Sequence, residues 1–264
     1  MTFAVHEEIL DPQARAFYVS ALAALAAGRV PFLVGGAYAF ARYTGIERHT
    51  KDFDIFVLPE DAERTLDVLA RAGYQADMTF PHWLGKAFHG EDFIDVIFGS
   101  GNSVARVDRL WFDHAVDDEV LGVPVRLIPP EEMVWSKGYI MERERFDGAD
   151  ILHVLRACAD RIDWDRLLER FGAHWRVLLA HLVLYGLVYP GERARIPARV
   201  LRPLLARAAA EGDEPGAVCG GTLLSRQQYL IDIGRWNYAD ARLVQGYMTP
   251  ESIAHWTAAI DPRH

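Results

Sequence analysis

The sequence predicts an α/β (α+β) fold, with a small mixed-sheet domain over residues 1–129 followed by a predominantly helical domain over residues 130–264. Short apolar β-type runs alternate with helical stretches as far as Ile128, and the pair Pro129-Pro130 then interrupts the chain. From Glu131 onward the apolar residues recur mostly at helical spacing. A chain of 264 residues with 51% apolar side chains can bury one large core or two modest ones.

Asp11-Pro12 is a helix start, an N-cap followed by proline at the first helical position. Phe17, Ala21, Leu22 and Leu25 then recur at helical spacing until Gly28. The run Phe32-Leu33-Val34 is a strand that stops at Gly35-Gly36. There a helix begins and brings backbone amides to one point, an arrangement that attracts phosphate. A second strand carries Asp52-Phe53-Asp54-Ile55. Pro59-Glu60-Asp61 opens a helix with acids that suit its dipole, and Gly73 closes it. Residues 83–88 and 93–98 flank His89-Gly90-Glu91-Asp92 as a hairpin, whose first strand is expected to carry Lys86 towards the site. A second hairpin turns at Leu121-Gly122. Helices are expected over residues 133–145, 149–159, 164–171 and 175–189, and Gly220-Gly221, with no strand signal before it, reads as a turn into a helix.

Carboxylates at core-like positions mark the candidate site. Side chains alternate along a strand, so Asp52 and Asp54 project to one side while Phe53 and Ile55 point to the other. Two such carboxylates, about 7 Å apart at twice the strand rise, repel unless a cation sits between them. A divalent metal, magnesium, is the simplest partner. In residues 93–98, Asp95 shares a face with Phe93 and Ile97, opposite Ile94, Val96 and Phe98. Burying such groups without compensating charge costs on the order of several kcal/mol each.

The order of strand, glycine pair, helix, Thr50-Lys51-Asp52-Phe53-Asp54-Ile55 and a further strand with Asp95 resembles the nucleotidyltransferase superfamily of the DNA polymerase beta type. It resembles especially the small bacterial members, of the abortive-infection or antibiotic-modifying type. The resemblance implies metal-dependent transfer of a nucleoside monophosphate from a nucleoside triphosphate such as ATP to an acceptor hydroxyl. It implies two magnesium ions on Asp52 and Asp54, with Asp95 completing the set and helping to activate the hydroxyl. Gly35, Gly36, Arg48, Thr50 and Lys51 are then candidates for nucleotide binding. The stretch from Arg143 to Ile151 resembles the segment that follows the catalytic domain in the abortive-infection type, and it makes Lys137 a further candidate for a phosphate. Many members carry Gly-Ser where this chain has Gly35-Gly36, so backbone amides stand in for the missing hydroxyl. The helical domain is expected to shape the acceptor site, whether for a small molecule, a tRNA end or a protein hydroxyl. The alternative is a non-catalytic nucleotide-binding or interaction protein of a two-component, toxin–antitoxin-like system.

A net charge of −9 opposes long-range attraction of polyanions, so no extended nucleic-acid groove is expected and a small or cationic acceptor is favoured. Arg193, Arg195, Arg199, Arg202 and Arg207 read as a solvated helix face beside Leu201, Leu204 and Leu205. Asp147 and Asp150 read as caps paired with Arg143 or Arg145. No run reaches roughly 18 consecutive apolar residues, and the N-terminus has acids where a secretion signal is basic. A cytoplasmic location without a membrane partner is expected. Cys158 and Cys219 match no metal or redox spacing and are expected as small buried side chains, and the ten histidines show no zinc spacing.

Overall fold

The computed structural model describes residues 10–48, 50–212 and 216–259, which fall into two compact units, Met1–Pro129 and Pro130–His264. The acidic stretch at residues 1–9 lies outside the described residues.

The first unit opens with α1 (Pro12–Ala27), where Asp11 Oδ1 accepts from the amides of Gln13 and Ala14 at 2.8 and 3.3 Å. Such a cap contributes about 1 kcal/mol. The helix closes at Gly28 in the right-handed region, and it is Arg29, at φ 53°, that turns the chain. Gly28 supplies space instead, since a Cβ there would lie 3.0 Å from Val68. Next come β1 (Leu33–Val34), α2 (Gly36–Thr44) and β2 (Asp52–Phe56). A 3-10 turn at Pro59–Asp61 leads into α3 (Ala62–Arg71), which ends with Gly73 at φ +96°.

The chain then forms β3 (Gln75–Phe80), a strand the sequence reading did not anticipate, and the hairpin β4 (Leu84–His89) and β5 (Asp92–Ile97). After α4 (Arg109–Asp113), a second hairpin joins β6 (Val116–Val120) to β7 (Val123–Leu127). Its turn places Leu121 and Gly122 at φ 54° and 80°, the positive values of a type I′ turn. One mixed seven-stranded sheet results, in the order β3-β4-β5-β2-β1-β7-β6. β2 and β5 run parallel at its centre, while β4 pairs antiparallel with β5. One face buries Phe53, Ile55, Ile94 and Val96 completely, and α3 packs Leu66 close over Gly85. Each fully buried side chain of this size contributes about 1.5–3 kcal/mol.

The second unit begins with α5 (Pro130–Gly138), so the helix expected over residues 133–145 stops seven residues early. The Gly138 carbonyl accepts from the buried His181 at 2.9 Å, and a Cβ at Gly138 would press on the Phe171 ring at 3.0 Å. The chain then folds back through a bridge between Met141 and Phe146. α6 (Gly148–Cys158), α7 (Trp164–Phe171) and α8 (Trp175–Val188) follow. Together α7 and α8 form a stretch, Trp164–Val188, that is long and apolar enough by length and composition to cross a membrane. It supplies the core of this unit, with Leu167, Phe171, Trp175, Leu178, Leu182 and Tyr185 buried.

Arg193–Arg195 form a 3-10 turn, and α9 (Ala198–Ala210) starts only after Pro197. The arginines therefore lie on two separate elements rather than one continuous helix face. The strand β8 (Val218–Cys219) directly precedes Gly220, contrary to expectation. It pairs parallel with β9 (Ala239–Asp240), which follows α10 (Leu230–Gly234) and leads into α11 (Ala241–Val244) and α12 (Pro250–Ala258). Cys158 and Cys219 are both buried thiols.

Candidate active site

The site is built on adjacent central strands. Residue by residue, β2 and β5 align Asp52 with Phe93, Phe53 with Ile94 and Asp54 with Asp95. Alternation then puts Asp52, Asp54, Phe93 and Asp95 on one face, while Phe53 and Ile94 enter the core. One carboxylate oxygen from each of Asp52, Asp54 and Asp95 lies within 4.8 Å of the others, and all three residues are half-buried.

The glycine pair makes room for this convergence. The Gly35 amide donates to the Asp54 carbonyl at 3.0 Å, extending the β1–β2 pairing by one residue. That bond takes one of the two amides expected to face phosphate. Gly35 also leaves space for the Phe56 ring, which a Cβ would meet at 2.2 Å. At Gly36 the constraint is double. Its φ is +53°, and a Cβ would sit 1.6 Å from Asp54 Oδ2. The Asp54 carboxylate thus occupies the volume that any other residue at position 36 would fill.

Thr50 hydrogen-bonds the Asp52 carboxylate through its hydroxyl, and the same oxygen accepts from the Asp52 amide at 3.4 Å. Its visible task is to orient Asp52. Behind the acids, Tyr18 and Tyr38 pack on Phe53 with ring centroids 5.1 and 4.6 Å away. Burial raises both phenols far above their ordinary pKa; Tyr38 and Asp92 add to the effect at Tyr18, and Asp52 and Asp92 at Tyr38. Both stay protonated across the physiological range. The Tyr18 hydroxyl donates to the Lys51 carbonyl at 3.1 Å, which ties α1 to the start of β2.

Arg48 and Lys51 are exposed, with the Arg48 guanidinium 4.6 Å from the Phe40 ring centroid. Lys137 belongs to the second unit. Its ammonium is 2.6 Å from Asp147 Oδ2 and 3.0 Å from Asp150 Oδ2, so a phosphate would have to compete with two carboxylates for it. Asp147 also accepts from Arg145 at 3.0 Å. Burial alone would raise the Asp147 carboxyl, but the Arg145 hydrogen bond and the Lys137 charge outweigh it and hold the group below the usual carboxylate range.

Lys86, expected near the site but not counted among its residues, bonds one of the acids. Its ammonium donates to Asp95 Oδ1 at 2.6 Å. The signal was present in the sequence, because a hairpin that pairs His89 with Asp92 places Lys86 opposite Asp95 by simple counting.

A glycine turn against paired strand carboxylates, with a third acid on the next strand, is the arrangement of a nucleotidyltransferase. Residues 13–189 match the family described as uncharacterised nucleotidyltransferase, and the chain belongs to it. No curated protein matches the sequence. Among solved structures, the antibiotic-resistance factor ANT(2'')-Ia is similar at 17% identity, covering 67% of this chain and 98% of that one, with a TM-score of 0.44. The lincosamide antibiotic adenylyltransferase LnuA is similar at 15% identity, over 57% of this chain and 96% of that one, with a TM-score of 0.39. An antigenic nucleotidyltransferase-like protein from Paracoccidioides brasiliensis is similar at 13% identity, over 73% of this chain and 99% of that one, with a TM-score of 0.49.

Proposed function

We propose that this nucleotidyltransferase moves a nucleoside monophosphate from a nucleoside triphosphate to an acceptor hydroxyl, with two magnesium ions held by Asp52, Asp54 and Asp95. The observation that carries the reading is the meeting of three carboxylate oxygens within 4.8 Å, against a glycine whose missing side chain Asp54 replaces. An all-oxygen, all-anionic donor set without nitrogen or sulfur suits a hard divalent cation. When bound, such ions neutralise charge on the transferring and leaving phosphates and lower the pKa of the acceptor hydroxyl. The chain's own part is to hold the three carboxylates rigidly: Thr50 orients Asp52, Gly36 gives Asp54 its space and Lys86 fixes Asp95.

Arg48 and Lys51 are exposed cations just ahead of the acids, and we assign them to the triphosphate. The α2 N-terminus at Gly36 adds its dipole to the same task. A net charge of −9 favours a small or cationic acceptor over a long nucleic acid. Offering each labelled nucleoside triphosphate with a panel of aminoglycosides, other small hydroxyl compounds, tRNA and proteins tests the reading. Transfer that requires Mg2+ and is lost in Asp54→Asn is expected. Transfer that survives in Asp54→Asn would overturn the site, and preferential labelling of tRNA would overturn the acceptor class.

A further inference from the structure

We propose that Lys86 is the positioning residue of Asp95, and that its charge also sets how tightly the three aspartates bind a divalent ion. The inference rests on the reading of Asp52, Asp54 and Asp95 as a metal site. In the sheet order β4-β5-β2, Asp95 stands between Lys86 on one side and Asp54 on the other, each at the aligned register position. The Lys86 ammonium thus holds Asp95 from the side opposite Asp54, by a bond of 2.6 Å to Oδ1.

The lysine is itself held. Its Nζ lies 4.0 Å from the centroid of the Phe93 ring, and Phe93 is the residue aligned with Asp52. Side-chain exposures of 21% for Lys86 and 14% for Asp95 remove most of the solvent screening that makes surface pairs weak. Ordering a four-carbon side chain costs up to about 2 kcal/mol of rotamer entropy, and a partly buried charge-assisted bond together with a ring contact offsets that cost.

A cation beside a cation site has two effects of opposite sign. It orients the carboxylate, which favours chemistry, and it repels the incoming ion, which weakens binding. Removing it should therefore tighten the metal and slow the reaction, a combination that a purely structural lysine does not produce. Even with the full screening of water on the half-open ion side, a unit charge about 6 Å from a divalent ion changes affinity about tenfold.

The test measures Mn2+ binding by electron paramagnetic resonance on the full chain without nucleotide. It is combined with kcat, KM and melting temperature for Lys86→Met, Lys86→Gln and Lys86→Arg. Lys86→Met is expected to bind Mn2+ about tenfold more tightly, while kcat falls about 10- to 100-fold and KM for the nucleotide stays close to the parent's. Lys86→Gln keeps a donor without the charge, so Mn2+ should tighten with a smaller loss of kcat. Lys86→Arg should keep both values near those of the parent. If Lys86→Met does not fold, Lys86→Gln and Lys86→Arg decide alone. Unchanged or weaker Mn2+ binding in a folded neutral variant, or an unchanged kcat in Lys86→Met, overturns the proposal. Asp54→Asn is the control for the underlying reading: if it binds Mn2+ as the parent does, the metal site itself is wrong whatever Lys86 does.

Discussion

Each unit holds a cluster of sequestered carboxylates, and the two clusters are built on opposite rules. On β2 and β5 three aspartates converge on one point with a lysine bonded to one of them. On α5 and α7, Glu131 and Glu132 meet Arg166 and Arg170. Arg166 lies 2.5 Å from both glutamates, and Arg170 lies 3.0 Å from Glu132. Glu131 also accepts from the Asp163 amide at 2.6 Å, ahead of α7. The helical cluster is matched two against two, and Glu132 is fully buried. Acids matched one to one within the chain serve the fold, whereas acids gathered against one another on a half-open sheet face are the set we assign to an ion from outside. The same residue class is thus read differently according to what the tertiary structure sets beside it.

The sharpest way to break this contrast is to remove an acid from each cluster and compare what is lost. Asp52→Ala and Asp54→Ala should each lower transfer by on the order of 10³-fold or more, because each removes a ligand of the proposed metal site. The melting temperature should stay level or rise, since a repelling charge has gone. Near-normal turnover in either variant, or a collapse in stability, would erase the distinction. Glu132→Ala should do the reverse, destabilising the second unit by about 1–3 kcal/mol by taking a buried carboxylate from Arg166 and Arg170 while Glu131 still pairs with Arg166. Urea midpoints measure that loss, and Mn2+ affinity at the aspartates should not change.

Gly36→Ala sharpens the comparison at a position where space rather than charge is at stake. The φ of +53° and the contact with Asp54 predict a loss of about 1–3 kcal/mol from backbone strain. Displacing the Asp54 carboxylate should cost about 10²-fold in kcat, which circular dichroism melts and steady-state rates together would reveal.

A pH titration extends the rule of matched charge to Asp147, outside both clusters, whose carboxyl is held below the usual range after the Arg145 hydrogen bond and Lys137 overcome the effect of burial. A depressed carboxyl contributes stability that is present above the unfolded value of about 4 and is lost as pH falls through the lower folded value. Asp147→Asn should therefore be less stable than the parent at neutral pH, and the gap should close in acid. A gap that stays constant from pH 7 to pH 3 would show that the pair contributes nothing through ionisation.

The smallest effect belongs to the arginine cluster. Arg199 pairs with Asp165 at 2.6 Å while both side chains are more than half exposed, so Arg199→Ala should change stability by about 0.5 kcal/mol or less. A loss of transfer in that variant would instead mark the cluster as functional.

Much of this molecule was determined by local sequence. The Asp11 cap, the two hairpins and the alternation around Asp54 and Asp95 depend on residues within a few positions of one another, where backbone sterics and a period of two leave few options. The triad was readable for the same reason, since carboxylates interrupting apolar strands stand out without knowledge of the fold. Other features waited for distant partners. The strand Gln75–Phe80 has half-exposed, mixed residues and is specified by pairing with β4 rather than by its own pattern. The early end of α5 depends on His181, which takes the Gly138 carbonyl from a helix more than forty positions away. The need for glycine at position 36 follows from the Asp54 carboxylate, which the parallel pairing of β2 with β5 sets beside Asp95. Short-range geometry is encoded residue by residue, whereas the matching of buried charge to a partner is decided only when remote segments share one dry volume.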